Sequence, residues 1–401
     1  MDPKQQMFDE VESWLAELWE ISRRMYEHPE LGLEENESAQ MLENWLDRRG
    51  FLVERGLCGV PTAFRAVYGS GRPVIGFLCE YDALPEIGHG CGHDLIGVIS
   101  AGAAAALKTV LNGQGTIVVY GTPDEEVSCT KVQFLDEGVF DELDVALMLH
   151  PYKHTCTQIS SMGIYPIQFE FFGKKCHANE AGPQCINALD AAVMSYVSIN
   201  QIKQYLDANI HGIVKNGGVL PNIIPDYACL QYFIRCDAQW KTELAVQRVT
   251  RCVQGVADSM GVQMKATNFS AANTTFLNNG PLEDVLKANL DRLGEPVTVD
   301  PRDRISTDAA NVSFRIPTLH GMIGIKGCEQ MDLHTKEFAD ATVSPAGQNA
   351  TRTGILALAG TAYDIWESAS VLNRIRQAFC LGLEEERKKE EKYGFHKFSA
   401  E

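Results

Sequence analysis

The sequence predicts an α/β protein in which a mostly parallel-sheet domain is split by an inserted α+β domain of ferredoxin-like order. Three observations predict it. Short continuous apolar runs at residues 74–79 (VIGFLC), 117–120 (IVVY) and 145–149 (VALML) alternate with helical patterns. Strands covered on both faces read this way. The middle of the chain follows a β-α-β-β-α-β rhythm, and 401 residues exceed what one compact domain usually needs. The expected division is 1–163, 164–275 and 276–401, with the outer two segments forming one domain.

Taken in order, residues 1–50 read as two amphipathic helices. Phe8, Val11, Leu15, Leu18 and Trp19 fall at helical spacing, and the HPELG segment from His28 interrupts the pattern. Residues 35–49 resume it, and Gly50 closes the second helix. The apolar strands follow, with a helix over 94–108 between the first two. In the middle segment, strands are expected at 164–172, 210–215, 227–235 and 262–267, and helices at 185–205 and 242–260. A helix over 282–293 and a strand over 319–325 complete the first domain. The charged run 384–392 (EEERKKEEK) reads as a solvated helical end.

Composition narrows the function. Lys and Arg number 35 against 53 Asp and Glu, a net charge of −18, and no basic stripe compensates. Such a chain repels phosphate backbones, which argues against nucleic acid as a partner. The N-terminus lacks a basic region followed by an apolar stretch, so no signal peptide is expected. The alanine-rich run 96–107 is shorter than the roughly 18 residues of a membrane span, so no membrane partner is expected either. A cytoplasmic location follows as the expectation, with the 12 cysteines mostly reduced, buried or metal-bound.

The residues able to do chemistry follow the apolar strands, where open α/β sheets bind ligands. After the first come Glu80 and Asp82, then His89-Gly90-Cys91-Gly92-His93-Asp94. Cys91 and His93 can offer a thiolate and an imidazole to one cation, and glycines let the backbone fold closely enough for both to reach. A tight strand-to-helix turn reads the same way when taken alone, and Asp94 also suits a helix cap. After the second strand stand Glu125 and Glu126. Adjacent carboxylates suit a division of labour, one ligating a metal while its neighbour accepts a proton from water. After the third comes His150, and His334 follows the strand at 319–325 by a loop. Five ligands, Cys91, His93, Glu126, His150 and His334, are too many for one four-coordinate zinc and suit two metals, although a mononuclear site with a bystander stays open. His28, His154, His211, His320 and His396 show no partner pattern, and His89 has no defined role.

The run CEYDALPEIGHGCGHDLIGVISAGAAAAL, with PDEE, LHP, CHA, KNGGVLPNIIP and STDAANVS in order, resembles the M20 metallopeptidases. The resemblance extends from about residue 10 to about 380. It is closest to the amidohydrolase branch of β-alanyl-lysine-type dipeptidases and aminobenzoyl-glutamate hydrolases. It implies a metallohydrolase domain interrupted by a lid that also dimerises, and two divalent ions, zinc before manganese. The five ligands carry over, with Glu125 as general base and Asp82 orienting a ligand. His177, from the partner subunit's lid, would stabilise the oxyanion, while Asn222 and Arg235 would hold the substrate carboxylate or carbonyl region. Three departures stand out: Gly97 where many relatives have histidine, Asp94 for the branch's usual asparagine, and Cys176 with Asn179 around His177, where relatives read SHA.

The expected reaction is hydrolysis of an amide bond in a dipeptide or N-acyl amino acid. Two alternatives use the same residues: amide formation in a small-molecule pathway, and a non-catalytic metal-binding scaffold.

Overall fold

The computed structural model describes residues 2–111, 113–180, 182–298 and 304–393; His396 lies outside them. The chain divides into two compact units, Met1–Ser160 with Phe276–Gly382, and Ser161–Thr275 with Leu383–Glu401.

In the first unit, residues 64–79 form one long strand that doubles back. Partner numbers fall from Phe64↔Gly121 to Gly69↔Thr116, then rise from Val74↔Thr116 to Cys79↔Gly121. Strand Gln114–Gly121 therefore lies between an antiparallel arm and a parallel arm of the same segment. Leu52–Arg55 borders the first arm. Val145–Tyr152 runs parallel to the second, and Thr318–Gly324 runs parallel to Val145–Tyr152. Four mutually parallel runs thus end along one edge of the sheet. The acidic residues and histidines leave the sheet at this edge.

The helix His93–Leu111 packs against this sheet, and every residue from His93 to Leu107 is buried. It is longer than the sequence suggested, and by length and composition alone it is apolar enough to cross a membrane. Burial on all sides explains its composition: it is the central core helix. Asp94 lies inside its first turn rather than capping it, and its carboxylate accepts a hydrogen bond from Ser22 Oγ at 3.1 Å.

The first helix, Pro3–Glu27, buries Met7, Val11, Trp14, Leu18, Ile21 and Met25. Its buried face is rotated from the expected one, because Phe8, Leu15 and Trp19 only flank the core. The apolar pattern continues to Met25, and the longer stripe decides which face turns inward.

The second unit orders its strands Gln263–Asn268, Gly163–Phe172, Tyr227–Cys236 and Asn209–Asn216, all antiparallel. Counted along the chain this is 4-1-3-2, the ferredoxin-like arrangement, with helices Ala188–Ile202 and Gln239–Met260. Ala228, Leu230, Tyr232, Ile234 and Cys236 alternate inward along the central strand, as period-2 pleating requires.

Three expectations need correction here. The helix expected from residue 185 starts at Ala188, where the Asn187 side chain accepts from Leu189 N and Asp190 N. Cys185 lies two residues before that cap and forms a disulfide with Cys176. That bond and exposed Cys380 are exceptions to the expectation of mostly reduced, buried or metal-bound cysteines. The charged run 384–392 is helical and almost wholly exposed, as expected, within helix Ala369–Tyr393, but the expected third segment 276–401 does not stay with the first unit to its end. From Leu383 onward it groups with the second unit, not the first.

Candidate metal centre

The site is built at the carboxyl edge of the first unit's sheet. The segment after Cys79 turns sharply into the core helix, and Gly92 makes the turn at φ +86°. A Cβ there would meet Pro151 Cγ at 2.4 Å, so only glycine brings Cys91 and His93 this close to the His150 strand. The same crowding accounts for Gly97. A Cβ at that position would meet the Glu80 carbonyl oxygen at 3.1 Å and Leu42 at 3.2 Å.

The two buried histidines are each held by a partner on the far side of the ring. His93 Nδ1 bonds Asp82 Oδ1 at 2.8 Å, leaving Nε2 buried without a hydrogen-bond partner. Asp82 uses its other oxygen to accept the backbone N–H of Glu126 at 3.2 Å. His150 Nδ1 bonds the Pro151 carbonyl at 2.7 Å, and its Nε2 lies 3.5 Å from Cys91 Sγ. Carbonyl acceptance puts the proton on Nδ1 and leaves Nε2 with a free lone pair, the form that binds metal. Glu126 Oε1 lies 3.5 Å from His334 Nε2 and 4.0 Å from His93 Nε2. The His334 backbone N–H donates to the Gly90 carbonyl at 2.9 Å, tying its loop to the cysteine turn.

The donor atoms form three overlapping groups, each within 4.8 Å: Cys91, His93 and His150; Cys91, Glu126 and His334; His93, Glu125 and Glu126. Imidazole, thiolate and carboxylate oxygen together suit a borderline divalent cation such as zinc. The orphaned Nε2 of His93 points the same way, because a buried nitrogen without a partner is costly unless a ligand occupies it.

Electrostatics also favour a cation. Burial, with Glu80, Asp308 and Glu126 nearby, raises the Glu125 carboxyl well above its usual range. Burial opposes ionisation of Glu126 too, but His334 and His93 outweigh it and hold that group near 2. Burial lowers His150 to about 4, helped by His93, so its imidazole is neutral at pH 7. His334 is the open side of the cluster, with 53% of its side chain exposed.

Seven residues singled out from sequence therefore meet in the first unit: Asp82, Cys91, His93, Glu125, Glu126, His150 and His334. The second unit holds the other three. His177 pairs with Ile223 across two short strands, and Ala178 N–H donates to the Asn222 carbonyl at 2.9 Å. Asn179 N–H donates to His177 Nδ1 at 3.3 Å, which leaves the proton of a neutral ring on Nε2. Cys176, a departure from relatives, closes the disulfide over this loop. Arg235 lies on strand Tyr227–Cys236 and makes no hydrogen bond to His177 or Asn222 among the described residues.

Sequence reasoning gave no role to four groups that line the site. His320 is 1% exposed and stacks on His150 at 5.8 Å; burial, then His150, lowers it to about 3. Glu80, Lys131 and Asp308 form a buried ion cluster beside the clustered donors. Glu80 and Asp308 stood within quoted motifs, but Lys131 carries no local signal beyond a lone charge at the start of a short helix.

Residues 77–353 match the model of peptidase family M20/M25/M40. The chain belongs to this family. It is 33% identical over 391 residues to the Xaa-Arg dipeptidase of Homo sapiens, covering 91% of this chain and 89% of that protein. It is 32% identical over 313 residues to one of the subunits of the p-aminobenzoyl-glutamate hydrolase of Escherichia coli (strain K12), covering 72% and 65%. The fold matches an aminobenzoyl-glutamate utilization protein from Klebsiella pneumoniae with a TM-score of 0.69, 18% identity and coverage of 90% and 99%. It also matches a Bacillus subtilis protein described as a dinuclear metal-binding peptidase of the M20 family, with a TM-score of 0.66, 20% identity and coverage of 89% and 99%. Membership makes the chain an enzyme of a metal-dependent peptidase and amidohydrolase family, and the clustered donors give it a possible metal site.

Proposed function

We propose that this M20 enzyme hydrolyses the amide bond of a dipeptide or N-acyl amino acid, using two divalent ions held by Cys91, His93, Glu126, His150 and His334. The observation that carries the reading is the convergence of these donors around Glu125, a raised carboxyl in the same loop as Glu126. Thiolate and imidazole donors favour zinc over manganese. The ions supply Lewis acidity toward the substrate carbonyl and the attacking water.

The protein's own groups do the rest. Glu125 accepts the proton of the attacking water and returns it to the departing amine nitrogen. Asp82 fixes His93 and the Glu126 backbone at once. His177 of the partner subunit donates Nε2–H to the oxyanion, a role its tautomer suits. Asn222 and Arg235 hold the substrate carboxylate or carbonyl region, Arg in the bidentate manner. A homodimer is supported by apolar exposure on the second unit. Val193, Met194 and Val197 are exposed on helix Ala188–Ile202, and Ile213 and Val214 on strand Asn209–Asn216.

Because two relatives carry the name Xaa-Arg dipeptidase, dipeptides with a basic C-terminal residue come first in the test. Liquid chromatography of β-alanyl, γ-glutamyl and α-dipeptides and N-acyl amino acids, with added zinc or manganese, should find cleavage strongest in that group. Metal binding without cleavage of any member would overturn the hydrolytic reading.

A further inference from the structure

A buried cation stands next to the ligand cluster without ligating anything. Lys131 is fully buried, as is Asp308, and Glu80 is 1% exposed. Lys131 Nζ lies 2.7 Å from Glu80 Oε1 and 2.6 Å from Asp308 Oδ1. Its backbone N–H also donates to Asp308 Oδ2 at 3.1 Å. A buried ion cluster is seldom more stabilising than apolar residues of the same shape, so its placement calls for an explanation.

The placement closes a ring around the site. Glu80 and Asp82 leave the same strand end, two residues apart. Asp82 grips the Glu126 backbone N–H, and Glu80 grips Lys131, five residues further along. The two carboxylates thus hold both ends of the segment that follows Glu125. Each also faces His93: Asp82 at Nδ1, and Glu80 Oε2 at 3.6 Å from Nε2. That oxygen is nearer to the metal-facing nitrogen than Glu126 Oε1, at 4.0 Å. The other oxygen of Glu80 is taken by Lys131. Asp308, from the distant end of the first unit's sequence, anchors the arrangement.

We propose that Lys131 is a positioning residue: through Glu80 and Asp308 it registers the Glu125–Glu126 loop on the strand end and aims one Glu80 oxygen at the cation pocket. The proposal rests on the metal-site reading above.

The test uses neutral replacements, because Lys131→Met alone would leave two buried carboxylates uncompensated. The double variant Lys131→Met/Glu80→Gln and the triple variant with Asp308→Asn are compared with the parent protein. Zinc affinity is measured by chelator competition, kcat and KM at saturating zinc, and Tm by thermal melting. The expected result is folded protein with zinc affinity down by about 10–100-fold, the range seen when partners behind metal ligands are removed. At saturating zinc, kcat falls while KM changes little. Folded variants with parental zinc affinity and kcat would overturn the proposal. Failure of both variants to fold would overturn it too, since the cluster would then be a stability element. A parent protein that binds no divalent ion would instead overturn the metal-site reading itself.

Discussion

The first unit buries His93 and His150 and bonds each from behind, through Asp82 and the Pro151 carbonyl, while half-exposed His334 is tied by its backbone N–H to the Gly90 carbonyl. The second unit leaves His177 and Asn222 exposed, held by backbone pairing and a nearby disulfide. The contrast bears on when each site is complete. Groups fixed by the core are organised as soon as that unit folds. Exposed groups on a short strand pair gain their low-dielectric surroundings only when substrate or a second chain covers them.

Substitution at one histidine in each unit should separate the two cases most strongly. His93→Ala removes a donor from the cluster, so metal content and turnover should both collapse if the proposed site is right. His177→Ala should leave metal content and Tm at parental values while kcat drops by about 10²–10³-fold, the cost of losing one oxyanion donor. Metal analysis beside steady-state kinetics reads both. Loss of metal from the His177 variant would erase the distinction between the units.

Mixing variants sharpens the comparison with a smaller signal. If His177 acts on the partner's site, Glu125→Gln and His177→Ala chains should complement each other when refolded together. Random pairing in a twofold dimer would restore about a quarter of parental activity. No recovery, in a mixture shown to contain mixed dimers, would put His177 in its own chain's site.

The first unit was also the more legible in sequence. The apolar runs at 74–79, 117–120 and 145–149 mark their strands, because buried parallel strands leave little alternation to confuse. The donors lie just beyond those runs, so the strand ends pointed to the site. Lys131 was invisible because its partners, Glu80 and Asp308, are far away in sequence and only the fold pairs them. Helix Ala188–Ile202 starts later than its apolar pattern, since the Asn187 side chain caps it and the period alone does not place a cap. The rotated face of Pro3–Glu27 shows a related limit. Two overlapping stripes satisfied the helical period there, and the packing surface chose between them.

The central claim is that a metal cluster and Glu125 perform different tasks from one loop. Metal content and turnover of Glu125→Gln, measured on the same preparation as the parent, test it most directly. The account predicts two divalent ions per chain in both proteins and a loss of about 10²–10⁴-fold or more in kcat for the variant. Turnover retained by Glu125→Gln, with its metal in place, would contradict it.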